Sequence, residues 1–202
     1  MRIWFAVLVA LGVLIPDRAA GSDLYIPVGK ETVAPLGWVG FCIKSEGGEC
    51  DTKPMAAVDV ALTPKDWNTL VFVNRLVNSR ITYLTDQEHW GAHVLDRWSY
   101  PDDGYGDCED YVLLKRRMLI SLGWPRQALL VTLVRDPNGI GHAVLTVKTN
   151  KGEFILDIQE EQILLWSQSK HLFVSRQSQT DPNKWVYLRG PSQVSAVQQK
   201  KR

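Results

Sequence analysis

Apolar positions along the chain form two helical stripes followed by a series of strand-like runs. Thr63-Pro64 opens the first helix, with Thr63 suited to the N-cap and Pro64 to the first helical position. Trp67, Leu70, Val71, Val73, Leu76 and Val77 then recur at helical spacing to about Ser79. Residues 80–107 read as polar and loop-like, with Trp90, Trp98 and Tyr100 interspersed and a strong turn at Pro101-Asp102-Asp103-Gly104. From Cys108 to Leu122 the stripe returns as Tyr111, Val112, Leu114, Met118, Leu119 and Leu122, which predicts a half-buried helix. Gly123 and Pro125 stop it.

Three runs rich in β-formers follow, Ala128–Val134, His142–Val147 and Glu153–Ile158. The turns Asp136-Pro137-Asn138-Gly139 and Asn150-Lys151-Gly152 between them predict an antiparallel meander. Leu172–Val174 and Trp185–Leu188 are expected to add edge strands. Residues 22–57 carry many turn formers and read as an irregular lead-in. The expected class is α+β, a helix-borne site packed on an antiparallel sheet.

The 202 residues suit one domain, with 45% apolar and 22% charged positions, so a packed core is expected rather than disorder. The balance of 23 basic against 22 acidic residues gives +1, which offers no polyanion-binding surface and excludes nucleic acid as the expected partner. Met1-Arg2 precedes an apolar run from Ile3 to Ile15, then Pro16 and the small residues Ala19-Ala20-Gly21. That is the layout of a secretory signal peptide over 1–21. At 1.5 Å per residue the run falls short of a hydrocarbon core about 30 Å thick, so no permanent membrane span is expected. The domain is expected over 22–192, with a polar tail over 193–202.

Export gives meaning to the three cysteines. Cys42 and Cys50 flank a polar, Gly-containing stretch that can close a small disulfide loop, expected to staple a surface turn rather than the fold. Cys108 is left as a free thiol between the glycine-rich Gly104-Tyr105-Gly106 and its helix. Unsatisfied N–H groups at a helix start favour a thiolate and can face a developing oxyanion. By itself Cys108 reads equally well as a small buried apolar residue. His142 opens a strand, and Asp157 ends the next one. A hairpin centred near 149–150 would make them cross-strand neighbours, so that the carboxylate orients an imidazole facing the sulfur. Each alone has a bland reading, a half-buried histidine and a strand-end turn former. His89, His93 and His171 show no comparable partner and are expected at the surface or in loops.

Gly106-Asp-Cys-Glu-Asp-Tyr111, Lys115, Gly141-His-Ala-Val-Leu145 and Ile155-Leu-Asp157 together resemble the bacterial transglutaminase-like cysteine proteinases, which include the LapG-like periplasmic proteases. Asp86–Trp90 and Asp96–Pro101 resemble that family's lead-in to the cysteine, and the likeness spans roughly residues 60 to 160. It implies a papain-like, transglutaminase-like core with Cys108, His142 and Asp157 as the triad. Ile158 stands where family members often carry Asn. The resemblance also implies calcium dependence, with Asp107 and Glu109 as first candidate ligands, and Asp110, Asp102 or Asp103 as additions. Hard oxygen donors beside a glycine-rich turn suit Ca²⁺, although acidic residues in a first helical turn also simply complement the helix dipole. A bound cation would restore the field that these carboxylates remove from a thiolate. The implied substrate is a large surface adhesin cleaved in biofilm release, and the implied partner an inner-membrane receptor for cyclic-di-GMP. Two rival activities share the same residues: acyl transfer or deamidation at glutamine, and non-catalytic calcium-dependent docking.

Overall fold

The computed structural model describes residues 24–44, 49–50, 53–94 and 96–189. The expected signal peptide over 1–21 and the tail over 193–202 lie outside the described residues. In chain order the elements are β1 (Val28–Thr32), α1 (Leu36–Lys44), α2 (Pro64–Arg80), β2 (Thr82–Tyr83), α3 (Asp86–Trp90), β3 (Tyr105–Gly106) and α4 (Cys108–Ser121). They continue with β4 (Leu129–Arg135), β5 (Gly141–Thr149), β6 (Gly152–Leu156), β7 (Leu164–Leu165), β8 (Leu172–Gln177) and β9 (Trp185–Leu188).

The two long helices begin and end where local chemistry dictates. Thr63 and Asp66 form a reciprocal capping box at the start of α2, with Pro64 just inside it. Beyond α4, Gly123 takes φ +88°, and the N–H of Trp124 returns to the Leu119 carbonyl at 3.0 Å.

Seven strands form one antiparallel sheet in the order β1-β9-β8-β4-β5-β6-β7, while β2 and β3 pair in parallel as a separate ribbon. The β4-β5-β6 meander sits inside it as the turns predict. Alternation along each strand separates two cores. Leu129, Val131, Ala143 and Leu145 pack with Leu70, Val73, Leu113 and Leu119 of α2 and α4. Val134, Val144 and Ile155 face the other way, onto Trp166 and Phe173.

Three expectations change. The strands near residues 172 and 185 are not edges: β8 lies inside the sheet between β4 and β9, and β1 closes that side. The lead-in therefore contains a strand and a helix, β1 and α1, rather than only irregular chain. Residues 80–107 likewise include β2, α3 and β3. Gly37 in α1 packs so tightly on Trp98 that an added Cβ would lie 2.2 Å from the indole.

Cys42 and Cys50 are bridged. Their loop does more than tie a surface turn, because Glu49 is buried and ion-paired with the buried Arg116 of α4. The Tyr100 hydroxyl also donates to Glu49, at 3.1 Å. The bridge thus fastens α1 and its loop to the helix that carries Cys108. No helix among the described residues is long and apolar enough to cross a membrane.

Candidate active site

Cys108 is the first residue of α4, and it is the free cysteine among the described residues. The N-cap Asp107 makes no side-chain capping bond. The sulfur donates to Glu109 Oε2 at 2.8 Å and accepts from the Ala143 N–H of β5. Burial, then the charge and hydrogen bond of Glu109 and the charge of Asp107, push the thiol well above its ordinary range. The helix start alone therefore does not deliver a thiolate here. Cys108 and His142 line one cavity of about 290 Å³ with Pro35, Trp98, Leu133 and Val174. Of the three aromatic residues singled out before the cysteine, only Trp98 reaches that cavity. Trp90 stacks with His89 and Arg97, and Tyr100 packs on Phe41 and Arg117.

The register of β5 and β6 brings His142 and Asp157 together with a small offset from the expected one. Leu145 pairs with Leu156 and Thr149 with Gly152, so paired residues sum to 301. Position 157 thus falls opposite 144, and His142 meets it on the diagonal, on the same face. His142 Nε2 lies 2.6 Å from Asp157 Oδ1, with both side chains buried. That bond commits Nε2 to the carboxylate and leaves Nδ1 for the cavity. Ile158 causes no local deficit, because its N–H and that of Gln159 both donate to Asp157 Oδ1, at 2.6 and 3.1 Å. The Asp157 carbonyl accepts from Asn78 at 2.8 Å and from the buried Lys115 at 3.0 Å.

His171 is one residue that sequence reasoning missed. Far from lacking a partner, it places Nε2 2.7 Å from Asp157 Oδ2, and its side chain is only 8% exposed. Burial raises the Asp157 carboxyl, but the bonds from His142 and His171 outweigh it and hold the group well below the usual carboxylate range. Lys115 is lowered as well, to about 7, by burial that the Asp157 charge only partly offsets. His89 also has a partner, Asp103 Oδ2 at 2.9 Å, whereas His93 is exposed.

The acidic residues around the cysteine divide differently from the expected set. Asp86 of α3, Asp107 and Glu109 bring one carboxylate oxygen each to within 4.8 Å of one another. Asp110 does not join them: its Oδ1 accepts the Ser99 N–H at 2.7 Å, and its Cβ packs against Gly106, where an added methyl would lie 2.7 Å away. The glycine thus makes room for Asp110. Asp102 pairs with Arg117 and Asp103 with His89, so neither alternative ligand is in the cluster.

Burial and mutual repulsion raise Asp107 to about 8, and burial raises Glu109 to about 7 and Asp86 in the same direction. Among the described residues, Asp107 Oδ1 is buried without a hydrogen-bond partner. Three converging carboxylates and an unused oxygen are a donor set that fits a hard divalent cation such as Ca²⁺. A larger open groove, about 720 Å³, runs along α2 beside Phe72 and holds none of the triad.

Residues 28–193 match the family model described as bacterial transglutaminase-like cysteine proteinase. Among solved structures, Legionella pneumophila LapG is similar at 26% identity, covering 67% of this chain and 78% of that one with a TM-score of 0.50. Its calcium-bound form aligns at 23% identity over 70% of this chain and 83% of that one, TM-score 0.50. The EGTA-treated form aligns at 24% over 67% and 79%, also at 0.50. No curated protein matches the chain.

Proposed function

The chain belongs to the bacterial transglutaminase-like cysteine proteinases and is a cysteine peptidase; from that premise we propose that Cys108, His142 and Asp157 form its triad and that calcium binding makes it active. The observation that carries the reading is the buried His142–Asp157 bond beside a free thiol in the same cavity. Cys108 gives its proton to His142 Nδ1 while the sulfur bonds to the scissile carbonyl carbon. The C–N bond then breaks, the amine takes the proton from the imidazolium, and a thioester remains on Cys108. His142 next deprotonates water, which attacks the thioester and releases the acid and the thiol. Asp157 holds the ring and stabilises its positive charge at each stage. The Cys108 N–H sits at the first position of α4, where no preceding helical turn claims it, and donates to the developing oxyanion.

Asp86, Asp107 and Glu109 would hold the calcium. When bound, the cation neutralises the carboxylates that otherwise oppose a thiolate. Support comes from the donor set itself and from LapG structures described as calcium-bound and EGTA-treated. The Cys42–Cys50 bridge and the apolar N-terminal run support export to the periplasm. The substrate we propose is a large surface adhesin, with an inner-membrane cyclic-di-GMP receptor as the regulator; both rest on the family resemblance.

The test compares cells producing the wild type and Cys108→Ala, with the surface fraction profiled for new protein N-termini with and without EGTA. New termini that require both the sulfur and calcium are expected. Isopeptide bonds or released ammonia in their place would assign acyl transfer instead, and identical profiles for both proteins would leave only the docking role.

A further inference from the structure

Oδ1 and Oδ2 of Asp157 are held in unequal ways. Oδ1 accepts from His142 Nε2, Ile158 N and Gln159 N, whereas His171 Nε2 is the side-chain partner of Oδ2. A carboxylate attached through one soft torsion can swing about its Oδ1 donors. A second donor on the opposite oxygen fixes its plane. We propose that His171 is a positioning residue for the peptidase reaction, locking the Asp157 carboxylate against His142 through its bond to Oδ2. The proposal rests on the triad reading and extends it.

The chain delivers His171 to this point through topology. It lies between the 3₁₀ turn Trp166–Gln168 and β8, on the link from β7 at one edge of the sheet to β8 beyond β4. That link brings the ring within 5.5 Å of His142, centroid to centroid, at a 54° tilt.

An ionised carboxylate only accepts, so the bond places a proton on His171 Nε2. The other nitrogen, Nδ1, is buried without a hydrogen-bond partner among the described residues. A second proton there would be a buried donor with no acceptor, which is costly, whereas a bare lone pair is tolerated more easily. The geometry therefore suits a histidine that donates once and carries no charge. Such a donor holds the carboxylate without neutralising it, and the imidazolium that His142 becomes still faces a full negative charge. An ammonium or guanidinium in the same place would compete with His142 for that charge.

The test uses the mature chain with calcium bound and ¹⁵N-labelled histidine. Long-range proton–nitrogen correlation spectra of the wild type are expected to show His171 and His142 each as a single tautomer protonated on Nε2. His171→Phe keeps a ring of similar size but removes the donor, and His171→Gln returns an N–H near the same point. In the Phe variant the His142 signals should shift or broaden toward those of an Asp157→Asn reference. Alkylation of Cys108 by iodoacetamide should slow roughly ten- to a hundredfold, the worth of one hydrogen bond to a charged group. His171→Gln should recover most of that loss, which a purely packing role would not predict.

Protonation of wild-type His171 on Nδ1, or His142 spectra and alkylation unchanged in His171→Phe, would overturn the proposal. If the Phe variant does not fold, the wild-type tautomer and the Gln variant decide. His142→Ala separates this from the triad itself: fast alkylation there sinks the triad, whereas slow alkylation there with a fast His171→Phe sinks only the role of His171.

Discussion

Withdrawing calcium should destabilise the protein, and more so as pH rises. Asp86, Asp107 and Glu109 place oxygens within 4.8 Å of one another. At an effective dielectric constant of about 20, two full charges at that distance repel by about 3.5 kcal/mol, so ionising all three without a cation costs on the order of 10 kcal/mol. The metal-free protein answers by keeping protons: burial first, then repulsion from Glu109 and Asp86, raises Asp107 to about 8, and burial, with repulsion from Asp96 and Asp110, raises Glu109 to about 7. Both values exceed those of the unfolded chain, so the folded state binds more protons between about pH 4 and 8. Metal-free stability must therefore fall as pH climbs through that window. Calcium bound there would displace those protons, so its stabilisation should grow over the same range. A site at about a hundred times its Kd adds about 2.7 kcal/mol. For a chain of this size that is roughly 5–11 °C in Tm. Thermal melts at about pH 5 and about pH 8, in EGTA or CaCl₂ at matched ionic strength, measure it directly. Asp107→Asn should shrink both the calcium shift and the pH slope. Superimposable melts with and without calcium at about pH 8 would refute the reasoning.

Asp157 behaves oppositely, because its folded carboxyl lies below its unfolded value. It stabilises the fold above about pH 4 and loses that contribution as pH falls through the folded pKa, so Asp157→Asn should flatten the acid limb of a stability–pH curve. Replacing both Cys42 and Cys50 by Ser opens a loop with a sequence separation of 8. Chain entropy predicts a loss of about 2.5 kcal/mol, or roughly 5–10 °C in Tm by calorimetry. Arg116 holds Glu49 from that loop, so the loss should shrink in an Arg116→Leu background.

The strongly periodic parts of the molecule were readable in advance because burial on one face repeats at a fixed spacing. Trp67 to Val77, Tyr111 to Leu122 and the β4-β5-β6 runs all declare their structure this way. β1 escaped notice because VGKET lies at a sheet edge and is largely solvent-facing, and α1 because two glycines interrupt its stripe. Cys108, His142 and Asp157 could be singled out as a proposed triad because thiol, imidazole and carboxylate sit at element boundaries in a telling order. The hairpin register came out two residues from the expected sum because nothing in Asn150-Lys151-Gly152 fixes the turn alone.

Asp86 and His171 were out of reach for a different reason. Each joins the site through a contact distant in sequence, which no local pattern of residues displays. Asp86 meets Asp107 because β2 and β3 pair on either side of the α3 segment. The elevated thiol of Cys108 also needs the three-dimensional structure, since burial outweighs the helix start that the sequence displays.

The most direct test of the account is the rate at which a tetrapeptidyl chloromethyl ketone alkylates the protein, followed by intact-mass spectrometry with calcium present. One adduct on Cys108 is expected in the wild type, formed at least about tenfold more slowly in His142→Ala because the sulfur loses its proton acceptor. Equal rates in the two proteins, or an adduct at any other residue, would contradict a thiol activated by His142.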